Sequence, residues 1–459
     1  MLIESLLLVM LLTGIFLLLH MPPFGKIYYS SNIWQRMCYF VLFFASVFPI
    51  IERYFSFALP IRLGVIKAGM LTAILFLYLL SIFIGKPYKI CRSLWAFIVI
   101  YTIFVAGFVF MLINDVIDAS VTISFAFEIY MSYAYYILIV FFAYNEFKET
   151  EAIENMLTMV IYIAILMSVV GLIQFIVGPV ILQNTGMHVI REGWGQRPSM
   201  KGADRVEDID HFRVFSTLTD HQAYGAFLFI ALVVLFYYMV SYKISKRNVL
   251  LSLFFIFSML TTYSLTIFFA FLLFVLLFFS LKVILELKVP KKVILVVSLL
   301  MVLFIMSFSF QDFRELLVSR LNLQNSTLYY RLNFFRNGIV AFMGYPWGYG
   351  FAITKLQAMG TNADCFWMWT LLQVGVLLFF VYVLLYLGPI VYLCNVIRKY
   401  KTKLSVTKRK MAYVLLSLFM VNLLFLNFSN GHMGTGPNNM IFWILTGISL
   451  NKSFWTSDE

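Results

Sequence analysis

Long apolar runs, separated by short polar stretches, follow one another along most of the chain. A helix needs about 20 mostly apolar residues to cross the hydrocarbon core of a bilayer, and on that rule the sequence predicts about 13 membrane-spanning helices, within a range of about 12 to 14. The predicted spans are residues 2–20, 37–51, 64–85, 94–113, 123–144, 157–178, 222–242, 249–262, 264–284, 293–309, 366–393, 413–428 and 438–450. The pattern predicts an all-α polytopic integral membrane protein, with a single membrane domain over residues 1–459.

Composition agrees with this pattern and excludes other classes of protein. Hydrophobic residues make up 62% of the 459 positions and charged residues only 12%, whereas a soluble domain averages about 25% charged residues. So little charge does not cover a water-exposed surface of this size. A soluble globular protein, a disordered chain and a disulfide scaffold are therefore excluded. The four cysteines show no metal-ligand spacing, so no metal is expected.

The net charge of +13 is concentrated in connections on one side of the membrane. If the spans alternate in direction, three basic clusters fall on that side, at residues 243–247, 282–292 and 398–410. Short loops rich in Lys and Arg face the cytoplasm. This predicts an N-terminus outside and a C-terminus inside, and it accounts for the positive charge without a nucleic-acid partner.

Lysine and arginine are divided unequally between the two predicted sides. The inner side carries 16 lysines and 5 arginines, whereas the outer side carries 3 lysines and 10 arginines. The planar guanidinium group matches phosphate and carboxylate oxygens in a way that the compact ammonium group does not. The outer arginines therefore indicate either a face that binds anions or ordinary pairing with Asp and Glu of the same loops.

Two connections are much longer than the others, and both lie on the predicted outer side. The first covers residues 179–221 and the second residues 310–365. Long loops that are not of low complexity are usually functional. In the first loop, Arg213 lies close to the start of the next span. Its side chain can reach lipid phosphate at the membrane surface or bind the phosphate of a lipid-linked ligand.

The second loop contains a predicted amphipathic helix that begins at Asn325 or Ser326. Four apolar residues form one face of that helix at helical spacing, namely Tyr329, Leu332, Phe335 and Phe342. Such a helix is expected to lie on the outer leaflet or to dip into it. Arg331 and Arg336 are five residues apart, which is about 140° around a helix. They therefore share only a broad face.

A turn and an acidic residue follow this helix. The turn Gly344-Tyr-Pro-Trp-Gly-Tyr-Gly350 carries aromatic residues suited to the membrane interface or to stacking on sugars. Asp364 lies at the start of the span that covers residues 366–393. It is a candidate catalytic carboxylate, although its position taken alone favours a cap for the following helix.

Three parts of the sequence together carry a resemblance to a known family. They are Arg213-Val-Phe-Ser-Thr-Leu at the end of the first long loop, Tyr330-Arg331-Leu-Asn followed by the turn that ends at Gly350, and Asp364-Cys-Phe-Trp, eleven residues before Gly375. In order, spacing and outer-side placement, residues 150–450 resemble the O-antigen ligase and polymerase superfamily. This superfamily comprises the Wzy-type polymerases and WaaL-type ligases of bacterial surface polysaccharides.

The resemblance implies an enzyme that acts at the outer face of the bacterial cytoplasmic membrane. In cells with two membranes this is the inner membrane. A polymerase of this type moves a growing glycan from undecaprenyl diphosphate onto the sugar end of a lipid-linked repeat unit. It needs no metal and no other cofactor. Asp364 stands where the ligases have a His-Asn pair, so the chain resembles the Wzy-type polymerases more closely.

The resemblance also implies roles for the outer residues. Arg213 and Arg331 are the expected catalytic arginines, and Arg336 and Arg320 are expected to join them in binding the substrate diphosphate. Asp364 is the expected general base. His221 and His211 are the reserve candidates for that role.

Other functions stay open on the sequence alone. A ligase would transfer the glycan to lipid A-core, and a flippase would carry the same lipid-linked oligosaccharide across the bilayer. A scaffold in a polysaccharide assembly complex is a third alternative. The expected partners are the lipid bilayer and the undecaprenyl-diphosphate-linked oligosaccharide, as donor and as acceptor. A chain-length regulator is a further candidate partner.

Overall fold

The computed structural model describes helices that follow the predicted apolar runs. The described residues are 20–22, 24–55, 73–81, 91–118, 121–122, 126, 136–184, 189–192, 195–198, 214, 216–218, 221–242, 244–286, 326–351, 366–400, 403–427 and 436–456. The chain forms two compact units. The first unit consists of Met1–Cys91, Tyr135–Ser264 and Gly434–Glu459, and the second of Arg92–Ala134 and Leu265–Met433.

The first unit contains eight labelled helices and one β-hairpin among its described residues. The helices are α1 (Phe24–Ser30), α2 (Ile33–Phe55), α4 (Tyr136–Glu146), α5 (Thr150–Asn184), α6 (His221–Ser241), α7 (Lys246–Leu260), α12 (Gly436–Leu450) and α13 (Lys452–Thr456). Residues 73–81 are also helical. The antiparallel strands β1 (Val189–Glu192) and β2 (Gly195–Pro198) pair with Arg191 opposite Gln196. This hairpin lies in the first long loop and was not predicted.

The second unit is helical throughout its described residues. Its helices are α3 (Arg92–Ile117), α8 (Leu265–Glu286), α9 (Ser326–Gly344), α10 (Phe366–Lys399) and α11 (Val406–Val421), which continues into a π-helix at Asn422–Leu426. The hydroxyl of Ser405 accepts a hydrogen bond from the backbone N–H of Lys408 and caps the start of α11. This is the usual way to satisfy a free amide at a helix N-terminus.

Several helices are long and apolar enough to cross a membrane. Among the described residues there are five, namely Arg92–Ile117, Thr150–Gly178, His221–Ser241, Phe366–Lys399 and Val406–Leu426. Each overlaps a predicted span, which agrees with the predicted all-α membrane protein. The predicted span 293–309, and the span 2–20 apart from its last residue, lie outside the described residues, so the count of about 13 stays a prediction.

The core of the first unit is built around α6. Almost every residue of this helix is buried, as expected for a helix that is apolar on every face. It packs against α5, α7 and α12. Where α5 crosses α6, Gly171 leaves room for Tyr224, because a Cβ at Gly171 would lie 2.7 Å from the tyrosine hydroxyl. Small residues allow helices to approach closely in membrane proteins.

Contacts at one end of the first unit join residues that the sequence places on the inner side. The side-chain amide of Gln35 donates to the backbone oxygen of Glu146 at 2.8 Å. The side-chain amide of Asn451 donates to the backbone oxygen of Tyr144, also at 2.8 Å. These contacts join the start of α2 and the end of α12 to the end of α4. The predicted alternation of span directions also puts these three helix ends on one side.

In the second unit, the later part of α10 packs along α3 in the opposite direction. The rings of Phe104 and Tyr382 stack with centroids 4.8 Å apart. Further toward the start of α3, a Cβ at Gly388 would lie 4.0 Å from the ring of Phe97. Higher residue numbers in α10 thus meet lower ones in α3. This is the antiparallel order expected of two spans that cross in opposite directions.

The apolar run that begins at Phe366 folds back on itself at Gly375. The ring centroids of Trp367 and Tyr386 are 5.2 Å apart, although 19 residues of one straight helix would separate them by about 28 Å. Gly375 has a non-helical backbone, with φ 74° and ψ 173°. Residues 366–374, called the short arm below, therefore lie beside residues 376–399, the long arm. The prediction of one continuous span over residues 366–393 is wrong in this respect.

Candidate functional site

The segment that follows Arg213 is fixed inside the first unit. Ser216 is buried with a positive φ of 55°, which non-glycine residues rarely adopt. The side chain of Gln174 holds this backbone on both sides: its amide nitrogen donates to the Ser216 oxygen, and its amide oxygen accepts from the Ser216 N–H, both at 2.7 Å. A buried carboxamide with both of its polar atoms hydrogen-bonded holds the backbone of Ser216 in one position.

Further hydrogen bonds tie the same segment to two other helices. The Thr217 hydroxyl donates to the backbone oxygen of Ser46 in α2 at 2.7 Å. The Val214 N–H donates to the backbone oxygen of Thr261, at the end of α7, at 3.1 Å. Arg213 is therefore attached to a well-anchored backbone. Arg213 and His211 themselves lie outside the described residues, and His221 is the half-buried first residue of α6.

The predicted arginine helix is present as α9 and begins at Ser326, as expected. Arg331 lies in this helix, and its side chain is outside the described set. Arg336 is exposed on the same face as Val340 and Met343, which are 64% and 76% exposed. An exposed apolar face is typical of a helix that meets lipid. This exposed face differs from the predicted apolar face, which did not include Val340 or Met343.

α9 packs against the short arm of α10. At the contact, a Cβ on Gly338 would lie 2.5 Å from Cγ of Met368. Only glycine permits this approach without displacing the methionine. The helix that carries Arg331 is therefore held against the segment that directly follows Asp364.

The glycine turn after α9 docks onto the point where α10 reverses. The backbone N–H of Tyr349 donates to the oxygen of Leu372 at 2.7 Å, and that of Gly350 donates to the oxygen of Gln373 at 3.1 Å. In return, the N–H of Val376 donates to the oxygen of Pro346 at 2.9 Å. The broken helix leaves backbone groups that need partners in a membrane. The turn supplies these partners.

Three glycines make this docking possible. Gly348, Gly350 and Gly375 all have positive φ angles, of 101°, 79° and 74°. A Cβ at Gly375 would collide with the backbone oxygen of Trp347. Because the turn and the reversal both have glycine at the crossing point, their backbones approach within hydrogen-bonding distance.

Asp115, at the end of α3, fixes the far side of the turn. Its carboxylate is buried and accepts a hydrogen bond from the N–H of Phe351 at 2.6 Å. A Cβ at Gly350 would collide with this carboxylate. Asp115 was missed from the sequence. The available signal was that it is the sole acidic residue of α3, placed where this predicted span reaches the outer side.

A second feature missed from the sequence is the π-helix at Asn422–Leu426. The indole N–H of Trp367 donates to the backbone oxygen of Leu423 at 3.0 Å. The short arm is thereby attached to the π-helix. Asn422 and Asn427 are fully buried at its two ends. Single π turns within helices are often found at functional sites.

The predicted site residues are only partly described. Asp364 and Arg320 lie outside the described residues. The structure brings the arginine helix, the glycine turn and the segment after Asp364 together in the second unit, whereas the segment after Arg213 belongs to the first. Among the described residues there is no cluster of His, Cys, Asp and Glu that could hold a metal ion.

The geometry therefore places a rigid backbone junction next to an arginine-bearing helix in a helical membrane protein. Such a junction can orient charged side chains toward a ligand at the edge of the membrane. In a comparison with known proteins, no family model and no curated protein matched the chain.

Proposed function

We propose that this protein is a surface-polysaccharide polymerase of the bacterial cytoplasmic membrane. It transfers a growing glycan from undecaprenyl diphosphate to the sugar end of a lipid-linked repeat unit, at the outer face of the membrane. The full polytopic arrangement of about 13 spans, with two long outer loops, is part of this proposal.

One observation carries the proposal. The glycine turn is bonded through its backbone to both sides of the reversal at Gly375, with Tyr349 and Gly350 donating to the short arm. Two of the three sequence parts that resemble the polymerase family, the arginine helix with its turn and the segment after Asp364, are thus neighbours in space. An unrelated set of loop motifs would not require this assembly.

The arginines would act on the leaving group. In the transfer, the bond between the anomeric carbon and the diphosphate oxygen breaks, and the lipid diphosphate departs with the bonding electron pair. Fixed positive charge near that oxygen lowers the energy of the transition state. Arg331 and Arg213 are the proposed catalytic arginines, with Arg336 and Arg320 as further diphosphate contacts.

A carboxylate would act on the acceptor. The acceptor hydroxyl attacks the anomeric carbon from the face opposite the diphosphate, so the configuration inverts, and its proton passes to a general base. Asp364 is the proposed base, with His221 and His211 in reserve. The guanidinium groups provide the electrostatic stabilisation without a metal or cofactor.

Deletion of the gene tests the proposed function against its alternatives. If the protein is a polymerase, a polysaccharide gel of the deletion strain shows single repeat units still attached to the acceptor and no ladder of longer chains. Loss of every attached unit would indicate a ligase or a flippase instead. An unchanged ladder would contradict all three functions.

A further inference from the structure

The second unit contains uncharged polar groups that no other described group satisfies. Asn422, Asn427 and Thr370 all have 0% exposed surface. Both polar side-chain atoms of each asparagine, and the hydroxyl of Thr370, have no hydrogen-bond partner in the part of the chain that the structure describes. A buried polar atom without a partner costs about 1–3 kcal/mol. Five such atoms in one region call for a physical explanation.

The π-helix brings the two asparagines closer to one face. The backbone N–H of Asn427 donates to the backbone oxygen of Asn422, five residues earlier. In a regular α-helix, two residues five apart point about 140° away from each other. The wider π turn instead reduces this separation and brings Asn427 closer to the side of the helix that carries Asn422. The irregularity thus draws together two carboxamides that a regular helix would separate.

Thr370 lies on the neighbouring short arm. Trp367 fixes the arm against Leu423 through its indole hydrogen bond, and Thr370 is one turn further along the same face. The arm reverses at Gly375 into the long arm, which a short loop joins to α11, so the short arm and α11 run in the same direction. This order of the elements puts Thr370 toward the end of the π-helix at which Asn427 lies.

The chemistry of these groups selects the class of ligand. A cation would satisfy the two amide oxygens and leave both NH₂ groups unpaired. An anion would do the reverse. A hydroxyl group both donates and accepts, so it can pair with the oxygen or the NH₂ of a carboxamide and with the threonine hydroxyl, and more than one hydroxyl satisfies the whole set.

We propose that Asn422, Asn427 and Thr370 form a binding site for hydroxyl groups. The site takes either a hydroxyl of the glycan substrate or a resident water molecule, which offer the same hydrogen-bonding chemistry. Naming the glycan as a source rests on the proposed function. The hydroxyl-binding character of the site does not rest on it.

The test compares thermal unfolding of the purified full chain with and without glycan. The probe is the repeat-unit oligosaccharide released by mild acid from the lipid-linked pool of the source cells. The key variant carries Asn422→Leu and Asn427→Leu, which keep the side-chain shape and remove the polar atoms. The control is Ser417→Ala, which removes a buried hydroxyl of α11 that is already bonded to the backbone of Tyr413.

If the glycan is the ligand, it raises the unfolding midpoint of the wild type and the control, and the shift is lost in the double variant. If resident water is the ligand, the glycan shifts no midpoint, and the double variant unfolds at a lower temperature than the wild type. Should the double variant fail to fold, the single Asn427→Leu variant carries the same comparison.

Two results would overturn the site. One is an equal glycan shift in the wild type and the double variant, which would place the glycan elsewhere. The other is the absence of a glycan shift in both proteins together with a double variant that is more stable than the wild type, because the polar groups would then have no ligand to bind. Neither readout requires glycosyl transfer, so failure of the site is distinguishable from failure of the proposed function.

Discussion

Gly348 and Gly375 lie in direct backbone contact, and a Cβ on Gly348 would lie 2.6 Å from the amide nitrogen of Gly375. This contact joins the turn after the arginine helix to the reversal of α10. Neither segment has room for a side chain at this point. The position of the short arm, and with it the segment that follows Asp364, depends on these two glycines.

Alanine at Gly375 is expected to destabilise the protein strongly. The substitution strains a backbone that only glycine adopts easily and also forces the new methyl group against Trp347, which together cost roughly 2–6 kcal/mol. The measurement is the free energy of unfolding in detergent.

Gly178 provides a matched control for that substitution. Its backbone angles, φ 76° and ψ 174°, are nearly the same as those of Gly375, but a Cβ there meets no atom within 4 Å. Gly178→Ala should therefore cost only the backbone strain, about 1–3 kcal/mol. Equal losses in the two variants would contradict the close backbone approach at Gly375.

Removal of the Asp115 carboxylate is expected to loosen the glycine turn. Asp115→Ala leaves the buried N–H of Phe351 without its acceptor, at a cost of about 1–3 kcal/mol. Asp115→Asn retains an oxygen acceptor and should preserve most of the stability. The exposed Asp118 provides a control, and Asp118→Ala should have little effect. If the asparagine variant is as unstable as the alanine variant, the hydrogen bond is not the important contribution.

Loss of the Gln174 carboxamide is expected to release the segment that carries Arg213. Gln174→Ala leaves two backbone groups of Ser216 unpaired, at about 1–3 kcal/mol for each group. Because Arg213 depends on this backbone, long polysaccharide chains should also be shortened or lost. The control is Thr158→Ala, which removes one hydrogen bond at the opposite end of α5. Normal polysaccharide chain lengths in the Gln174 variant would show that its hydrogen bonds to Ser216 are not needed for activity.

Helix positions followed from the sequence because the length and apolarity of a run are local properties. α6 occupies residues 221–241, and the sequence predicted residues 222–242. The sequence also offered Asn325 or Ser326 as the capping residue of α9, which begins at Ser326. In both cases the deciding residues lie within the element or directly before it.

The reversal at Gly375 did not follow from the sequence. Gly375 lies within an apolar run that is compatible with one continuous span, and a single glycine does not end such a helix. The partners that stabilise the reversal, Pro346, Tyr349 and Gly350, lie in a different segment. The π-helix escaped prediction for the same reason, because the Trp367 hydrogen bond to Leu423 depends on how the short arm packs.

Reconstitution of the purified protein with lipid-linked repeat units tests the central claim most directly. A gel of the products should show a ladder for the wild type and for Arg398→Ala, which removes an arginine from the opposite, predicted inner end of α10. Arg331→Ala should yield no products beyond a single repeat, and Arg331→Lys should also fail if bidentate binding of the diphosphate matters. A normal ladder from Arg331→Ala would contradict the proposal that the arginine of α9 stabilises the departing lipid diphosphate.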